Sequence, residues 1–389
     1  MPTIKTYNKI ADSGLSLLTQ QSYTVDENAK DADGIILRSH KLQPEEIPAS
    51  VKGIARAGAG YNNVPVDYCS EKGIVVFNTP GANANGVKEL VIAGMLLSSR
   101  RMYPALSWAQ SIKDKGDEAV KMIEKEKAKF AGPEIAGKTL GVIGLGAIGV
   151  LVANAAAALG MKVIGFDPFL SVESAWKMSR AVKKAANIDQ VYQEADYLSV
   201  HVPLNDKTRH MVNADAIAKM KDDARILNFA RGGLIDDAAV LKALDAGKLA
   251  AYVTDFPDAS LLGRDDVIAI PHLGASTPES EENCAIMAAN QMMEYLQYGN
   301  IVNSVNFPAC SMPMTGSVRL TISNRNVPKM VGQITTTLAD AGINIDDMMN
   351  RHRGEIAYNI IDIDKNVDSA IVDKLKSIEG VIGVRVITA

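Results

Sequence analysis

Residues 144–149 read Gly-Leu-Gly-Ala-Ile-Gly, three glycines set between an apolar, β-branched run at 139–143 and an alanine-rich run that starts at Ala147. A second apolar run, 162–166, follows and ends on Asp167. A strand, a glycine turn, a helix and a second strand ending in an acid together specify a βαβ unit of a parallel sheet. Each glycine then has a task. Gly144 permits a tight turn, Gly146 lets the backbone approach a pyrophosphate, and Gly149 lets the helix pack against the strand. The helix N-terminus, with Ala147 and Ile148 in its first turn, faces the phosphate charge. Asp167 is placed to accept hydrogen bonds from the adenosine ribose hydroxyls and to repel a 2′-phosphate, so the expected cofactor is NAD, not NADP.

The same alternation runs through most of the chain. Strands are expected at 34–38, 74–77, 139–143, 162–166, 197–202, 224–229, 250–255 and 267–271, and helices at 87–99, 147–159, 236–246 and 278–298. This pattern predicts an α/β fold of doubly wound parallel sheets with helices on both faces. The last helix opens on Thr277 as N-cap, Pro278, and then Glu279, Glu281 and Glu282, acids that complement its dipole. Residues 113–129 are charged and read as a solvated surface helix. The prolines at 308 and 313 and the lack of periodicity suggest a linker over 307–313. A compact unit then follows: strand 317–323, helix 331–341, strands 345–351 and 355–363, helix 368–377 and strand 384–387. Its order is that of a small α+β sandwich.

Bulk properties narrow the function. Net charge is −4 with the two signs interspersed, which offers no basic face for nucleic acid. Three cysteines, Cys69, Cys284 and Cys310, form no C-x-x-C pair. No disulfide framework or cysteine metal site is expected, and a reducing cytoplasm fits. The N-terminus lacks the pattern of a signal peptide, and no run reaches the ~20 apolar residues of a membrane span.

In open α/β sheets ligands gather at the carboxyl ends of the strands, and three such ends carry chemistry. At 228–233, Arg231 enters a glycine turn, where it can grip a carboxylate bidentately. At 271–276, His272 can act as general acid or base near neutral pH. At 254–258, either Asp255 or Asp258 can orient that histidine, although Asp258 equally suits a turn after Pro257. Of the other histidines, His201 lies in an apolar run and reads as packed, while His40, His210 and His352 read as surface groups.

With these residues in view, the chain resembles the D-2-hydroxyacid dehydrogenases, in particular the branch acting on 3-phosphoglycerate. The resemblance rests on residues 56–64 (RAGAGYNNV), on GLGAIG with Asp167, on 228–233 and on 271–277. It implies two Rossmann-like domains: a discontinuous substrate domain, 1–95 with 277–310, and an NAD domain, 96–276. It also implies oxidation of D-3-phosphoglycerate to 3-phosphohydroxypyruvate, the entry step of serine biosynthesis. Arg231 would then hold the substrate, His272 would move the hydroxyl proton, and Asp255 would bind the carboxamide of the cofactor. Pro203, Ala230 and Gly274 would complete the cofactor contacts. Gly58, Ala59 and Gly60 would lie against the substrate, and Arg38 and Arg56 would face its phosphate. Residues 316–389 resemble an ACT regulatory domain, with Asn324, Asn326 and Asn344 at effector-binding positions and serine as the natural effector. A purely structural, dimerising ACT domain is the alternative, and a homodimer or homotetramer is the expected assembly.

One departure bears on mechanism. The family places a glutamate about five residues after the aspartate matched by Asp255, where this chain has Ser260. Either Asp258 substitutes or His272 works without a carboxylate. Two other functions stay open: reduction of hydroxypyruvate, glyoxylate or 2-oxoglutarate, and NAD-responsive binding without catalysis.

Overall fold

The first sheet is parallel, with order β2-β1-β3-β4-β5, built from β1 (Thr3–Tyr7), β2 (Thr24–Val25), β3 (Gly34–Leu37), β4 (Gly53–Arg56) and β5 (Val75–Phe77). Strand side chains alternate between faces, and here both faces are covered. Ile36, Ala55, Val75 and Phe77 pack under Cys284, Ala285, Ala288, Ala289 and Met292 of the helix Pro278–Tyr298. Ile35, Leu37, Ile54 and Val76 meet Val51, Val64 and Cys69 on the other side. Burial on two faces explains why these strands read as unbroken apolar runs. The computed structural model describes residues 1–388 and divides into two compact units, Met1–Asn83 with Pro278–Ala389, and Ala84–Thr277.

The second unit holds a seven-stranded parallel sheet of β6 (Thr139–Ile143), β7 (Lys162–Phe166), β8 (Val182–Lys184), β9 (Tyr197–Val200), β10 (Ala224–Asn228), β11 (Leu249–Thr254) and β12 (Val267–Ala269). Its order is β12-β11-β10-β9-β6-β7-β8. The chain moves outward from β6 in one direction and from β9 in the other, so the β6/β9 boundary is the topological switch point. β9 stops two residues short of the expected end, before Pro203, which has no N–H for a ladder. The helix expected from 87 begins at Ala84 and lies entirely in this unit. Within the charged stretch, Asp117–Glu126 is helical and has no buried residue.

The C-terminal part of the first unit is an antiparallel sheet, order β14-β15-β13-β16, from β13 (Val318–Arg325), β14 (Ile345–Arg353), β15 (Ile356–Ile363) and β16 (Val381–Thr388). Helices Met330–Asp340 and Ser369–Lys376 supply Ile334, Leu338 and Leu375 to a core with Leu320, Ile322, Ile361 and Ile363. The opposite face corrects the reading of 307–313 as a linker. Phe307 and Cys310 are fully buried and join Tyr358 and Ile360 in one cluster. Residues Ile301 and Cys310 exchange backbone hydrogen bonds of 2.8 and 3.0 Å. The prolines erase periodicity without preventing packing.

Arg319 on β13 and Asp362, its register partner on β15, are both fully shielded from solvent. Their side chains meet at 2.6 and 2.9 Å. The same guanidinium donates to the carbonyls of Tyr298, Met312 and Pro313 at 3.0, 3.1 and 2.8 Å. Tyr358 adds a bond from its hydroxyl to Gly299 O at 2.7 Å. The antiparallel sheet is thus bound to the chain that leads into it.

Candidate active site

The glycine loop sits at the switch point. Gly144 has φ +89°, and a Cβ there would lie 2.5 Å from the carbonyl oxygen of His201 at the end of β9. A Cβ on Gly149 would collide with the Gly144 carbonyl oxygen, whereas one on Gly146 would meet nothing within 4 Å. Two glycines therefore serve close packing, and the third leaves the backbone open above the helix Ala147–Ala158. The Asp167 carboxylate is held in place: Leu145 N and Phe169 N each donate to it at 2.8 Å. Pro203 is exposed beyond β9. Its carbonyl accepts a bond of 2.6 Å from the Thr208 hydroxyl.

Arg231 and His272 are exposed and follow β10 and β12. The turn bearing Arg231 and Ala230 is set by Asn228, which is buried. Its amide oxygen accepts from Ala230 N at 3.2 Å and its amide nitrogen donates to Arg231 O at 3.0 Å. Arg231 itself donates to the Ala230 carbonyl at 3.0 Å. The strand-end pattern by itself gives Asn228 no role, and an amide placed to close a strand-end turn is the sequence signal for it.

Asp255 is 2% exposed and neither carboxylate oxygen has a hydrogen-bond partner. Burial raises its carboxyl above the usual range, against the opposing pull of His272, of the Gly274 and Asp255 N–H groups, which lie near it without meeting hydrogen-bond geometry, and of Arg231. A buried acceptor without a donor is a costly feature in a folded chain, and a carboxamide N–H₂ is the kind of donor that would satisfy it. Gly274 is buried beside it, where a Cβ would lie 3.4 Å from Asp255 Oδ2. Together with the glycine loop and Asp167, this lining fits a dinucleotide.

Asp258 is turned elsewhere. Its Oδ1 accepts from Ser260 N at 2.8 Å and from Ser260 Oγ at 2.5 Å, capping a short 3₁₀ turn. Those bonds hold its carboxyl below the usual range. The turn role weighed for Asp258 is therefore the one observed, and His272 instead has a ring neighbour, Phe256, with centroids 4.4 Å apart. His201 is packed, as expected: Nε2 meets Ser199 Oγ at 2.8 Å, and burial pushes the imidazole down to about 4.

In the first unit, the loop after β4 carries Gly58, Ala59 and Gly60. Gly58 has φ +148°, and a Cβ there would overlap the Arg56 guanidinium, so only glycine lets Arg56 lie across this loop. Arg56 Nε donates to Arg38 O at 3.0 Å, which places the two arginines side by side. Arg38 Nη1 is 2.7 Å from Glu281 Oε1. Ala59 O accepts from Asn78 Nδ2 at 2.7 Å.

Of the three asparagines expected to meet an effector, Asn324 is buried and hydrogen-bonded at both ends of its amide. Nδ2 donates to Arg325 O at 2.6 Å and Oδ1 accepts from Asn359 Nδ2 at 2.8 Å. Burial and these two bonds tie the Asn324 side chain to its neighbours in the sheet. Asn326 and Asn344 are exposed. They donate to Gly354 O at 3.2 Å and to Asp346 Oδ1 at 3.2 Å.

Among the described residues, no cluster of histidine, cysteine and acidic side chains could hold a metal ion, and no helix is long and apolar enough to cross a membrane. Residues 92–274 match the D-isomer specific 2-hydroxyacid dehydrogenase, NAD binding domain, and residues 318–380 match the ACT domain. The chain is 35% identical over 348 residues to D-3-phosphoglycerate dehydrogenase of Methanocaldococcus jannaschii, covering 87% of this chain and 63% of that one. It is 33% identical over 320 residues to the Bacillus subtilis enzyme of the same name, covering 78% and 58%. The chain thus spans about three fifths of the length of these relatives. A solved NAD⁺-bound 3-phosphoglycerate dehydrogenase from Entamoeba histolytica superposes with TM-score 0.61 at 28% identity, over 78% of this chain and 98% of that one.

Proposed function

We propose that the chain, whose residues 92–274 match the D-isomer specific 2-hydroxyacid dehydrogenase, NAD binding domain and whose residues 318–380 match the ACT domain, is a D-2-hydroxyacid dehydrogenase that oxidises D-3-phosphoglycerate to 3-phosphohydroxypyruvate with NAD. The observation that carries the reading is the set of adjacent strand ends β10, β11 and β12 bearing Arg231, the unpartnered Asp255 carboxylate and His272. When bound, NAD supplies the hydride acceptor. Asp255 would accept a hydrogen bond from the cofactor's carboxamide N–H₂. Arg231 grips the substrate carboxylate and the C2 oxygen, where negative charge grows as the proton leaves. His272 takes the hydroxyl proton during oxidation and returns it in the reverse direction. Arg38 and Arg56 neutralise the phosphate, Arg38 exchanging its Glu281 partner for the substrate dianion.

Assay of NADH oxidation against phosphohydroxypyruvate, hydroxypyruvate, glyoxylate and 2-oxoglutarate tests this directly. Turnover is expected to be highest with the phosphorylated acid. Replacing Arg38 or Arg56 by alanine should raise KM for phosphohydroxypyruvate far more than for hydroxypyruvate. Equal effects on both would refute the phosphate assignment, and no turnover despite tight NADH binding would favour an NAD-responsive binding protein. The match of residues 318–380 to the ACT domain supports an amino-acid effector, for which serine is the candidate and the exposed Asn326 and Asn344 the proposed contacts.

A further inference from the structure

The sheet order β12-β11-β10 places the end of β11 between the ends that carry His272 and Arg231. Just beyond Asp255, the second residue past that strand is Phe256. Its ring centroid is 4.4 Å from that of His272 with the planes 49° apart, and Arg231 Cζ lies over the same ring at 5.9 Å. The backbone of Phe256 is fixed: its N–H donates to the fully buried Thr254 hydroxyl at 3.0 Å, and Pro257 follows it with φ locked. Glycine at 232 lies against it too, since a Cβ there would be 3.6 Å from Phe256 Cβ. Neither nearby carboxylate takes the imidazole. Asp258 is committed to Ser260, and Asp255 has no hydrogen-bond partner.

We infer that Phe256 is a positioning residue, whose ring sets the attitude of the His272 imidazole and spaces it from the Arg231 guanidinium. The inference rests on the proposed role of these two groups. An aromatic face suits both neighbours. Its negative quadrupole attracts the guanidinium and also the imidazolium that forms when His272 holds the substrate proton. A carboxylate in the same place would instead form an ion pair with Arg231 and compete with the substrate carboxylate. An apolar wall leaves Arg231 free for the substrate and still limits the imidazole to one orientation. Small misplacements of such a group are expensive in rate.

Variants Phe256→Leu, Phe256→Ala and Phe256→Tyr test this in the full chain. Leucine keeps bulk without the ring face and should lower kcat about tenfold, and alanine about a hundredfold. NADH affinity, read by cofactor fluorescence, should stay within about twofold in both. Tyrosine restores the ring and should recover most of the lost kcat. A spectroscopic readout decides the matter without turnover. With ring-¹³C-labelled histidine, assigned through His272→Asn, the His272 resonances should shift in Phe256→Leu as the ring current is removed. The four other histidines should not move. Unchanged His272 resonances, or a leucine variant with parental kcat, would overturn the inference. If the parent itself turns over no 2-oxo acid, the proposed function fails, and the resonances still report whether Phe256 holds His272.

Discussion

Asparagine in place of Asp362 removes one charge from a pair that solvent does not reach. The carboxylate accepts from Arg319 Nε at 2.6 Å and Nη2 at 2.9 Å, and from Thr315 N at 2.9 Å and Oγ1 at 3.1 Å. Asparagine keeps the shape but turns one acceptor into a donor facing the guanidinium, which stays buried and charged. Breaking such a pair from one side costs about 3–5 kcal/mol, which corresponds to roughly 10²–10⁴ in a local opening constant. Native-state hydrogen exchange of the β13 and β15 amides reads this quantity, with the β6 and β9 amides of the other unit as internal reference. The double variant Arg319→Met with Asp362→Leu should recover part of the loss, because no charge is stranded, though carbonyls of Tyr298, Met312 and Pro313 lose their donor. Acid sensitivity supplies a second check. Burial alone would raise the Asp362 carboxyl, but Arg319 and Thr315 outweigh it and hold the carboxyl below the ordinary value. A folded-state depression contributes stability above the unfolded pKa of about 3.9, and that contribution disappears as pH falls through the folded value. The parent should therefore lose β13–β15 protection below about pH 4, and Asp362→Asn should show a flatter acid limb. An exchange rate within threefold of the parent at pH 7 would refute the account of the pair as a single clamp.

Three other substitutions bear on the site. Asp255→Asn should stabilise the cofactor-free protein at pH 8, by about 2–4 °C in Tm for ~1 kcal/mol, while weakening NADH about tenfold. The sign follows from a raised carboxyl: the buried charge costs stability as pH rises through the folded value, so the gain should vanish near pH 4. A lower Tm at pH 8 would refute it. His272→Asn should reduce kcat by about 10²–10⁴ with NADH affinity unchanged, and near-parental kcat would remove the proton-transfer role. Asp167→Ser should improve the NADPH-to-NADH ratio of kcat/KM by roughly a hundredfold, because the like charge opposing a 2′-phosphate is gone. An unchanged ratio would mean that other groups set the preference.

Much of the site was legible because it depends on local patterns. GLGAIG between two apolar runs needs only sequence neighbours to be read, and Gly144, Gly149 and Asp167 make the backbone contacts that such a loop requires. The helix Pro278–Tyr298 matches its expected bounds because Pro278 at its first position and Gly299 just past its end, with φ +70°, are local signals as well. The sequence leaves Asp258 open between two roles for a different reason. Its choice depends on whether Ser260 or His272 reaches it, and spacing along the chain does not measure that. Asn324 is a similar case: its motif suggests a ligand contact, yet the register of β13 on β15 brings it to Asn359.

The order of motifs along the chain was sufficient for a doubly wound fold with an NAD loop and for the chemical type of each strand-end residue, since hydrophobic period and glycine conformation act within a few residues. Sheet order and side-chain burial required the folded chain. Nothing in the linear order says that β11 lies between β10 and β12, and so nothing announces Phe256 between Arg231 and His272. Nor does a strand segment with an arginine in it announce a wholly buried guanidinium. Arg319 is accommodated because Asp362 and three carbonyls converge on it from 43 residues ahead and from 6 to 21 residues behind. Solvation and pairing of that kind are set by contacts distant in sequence, which chain folding alone brings together.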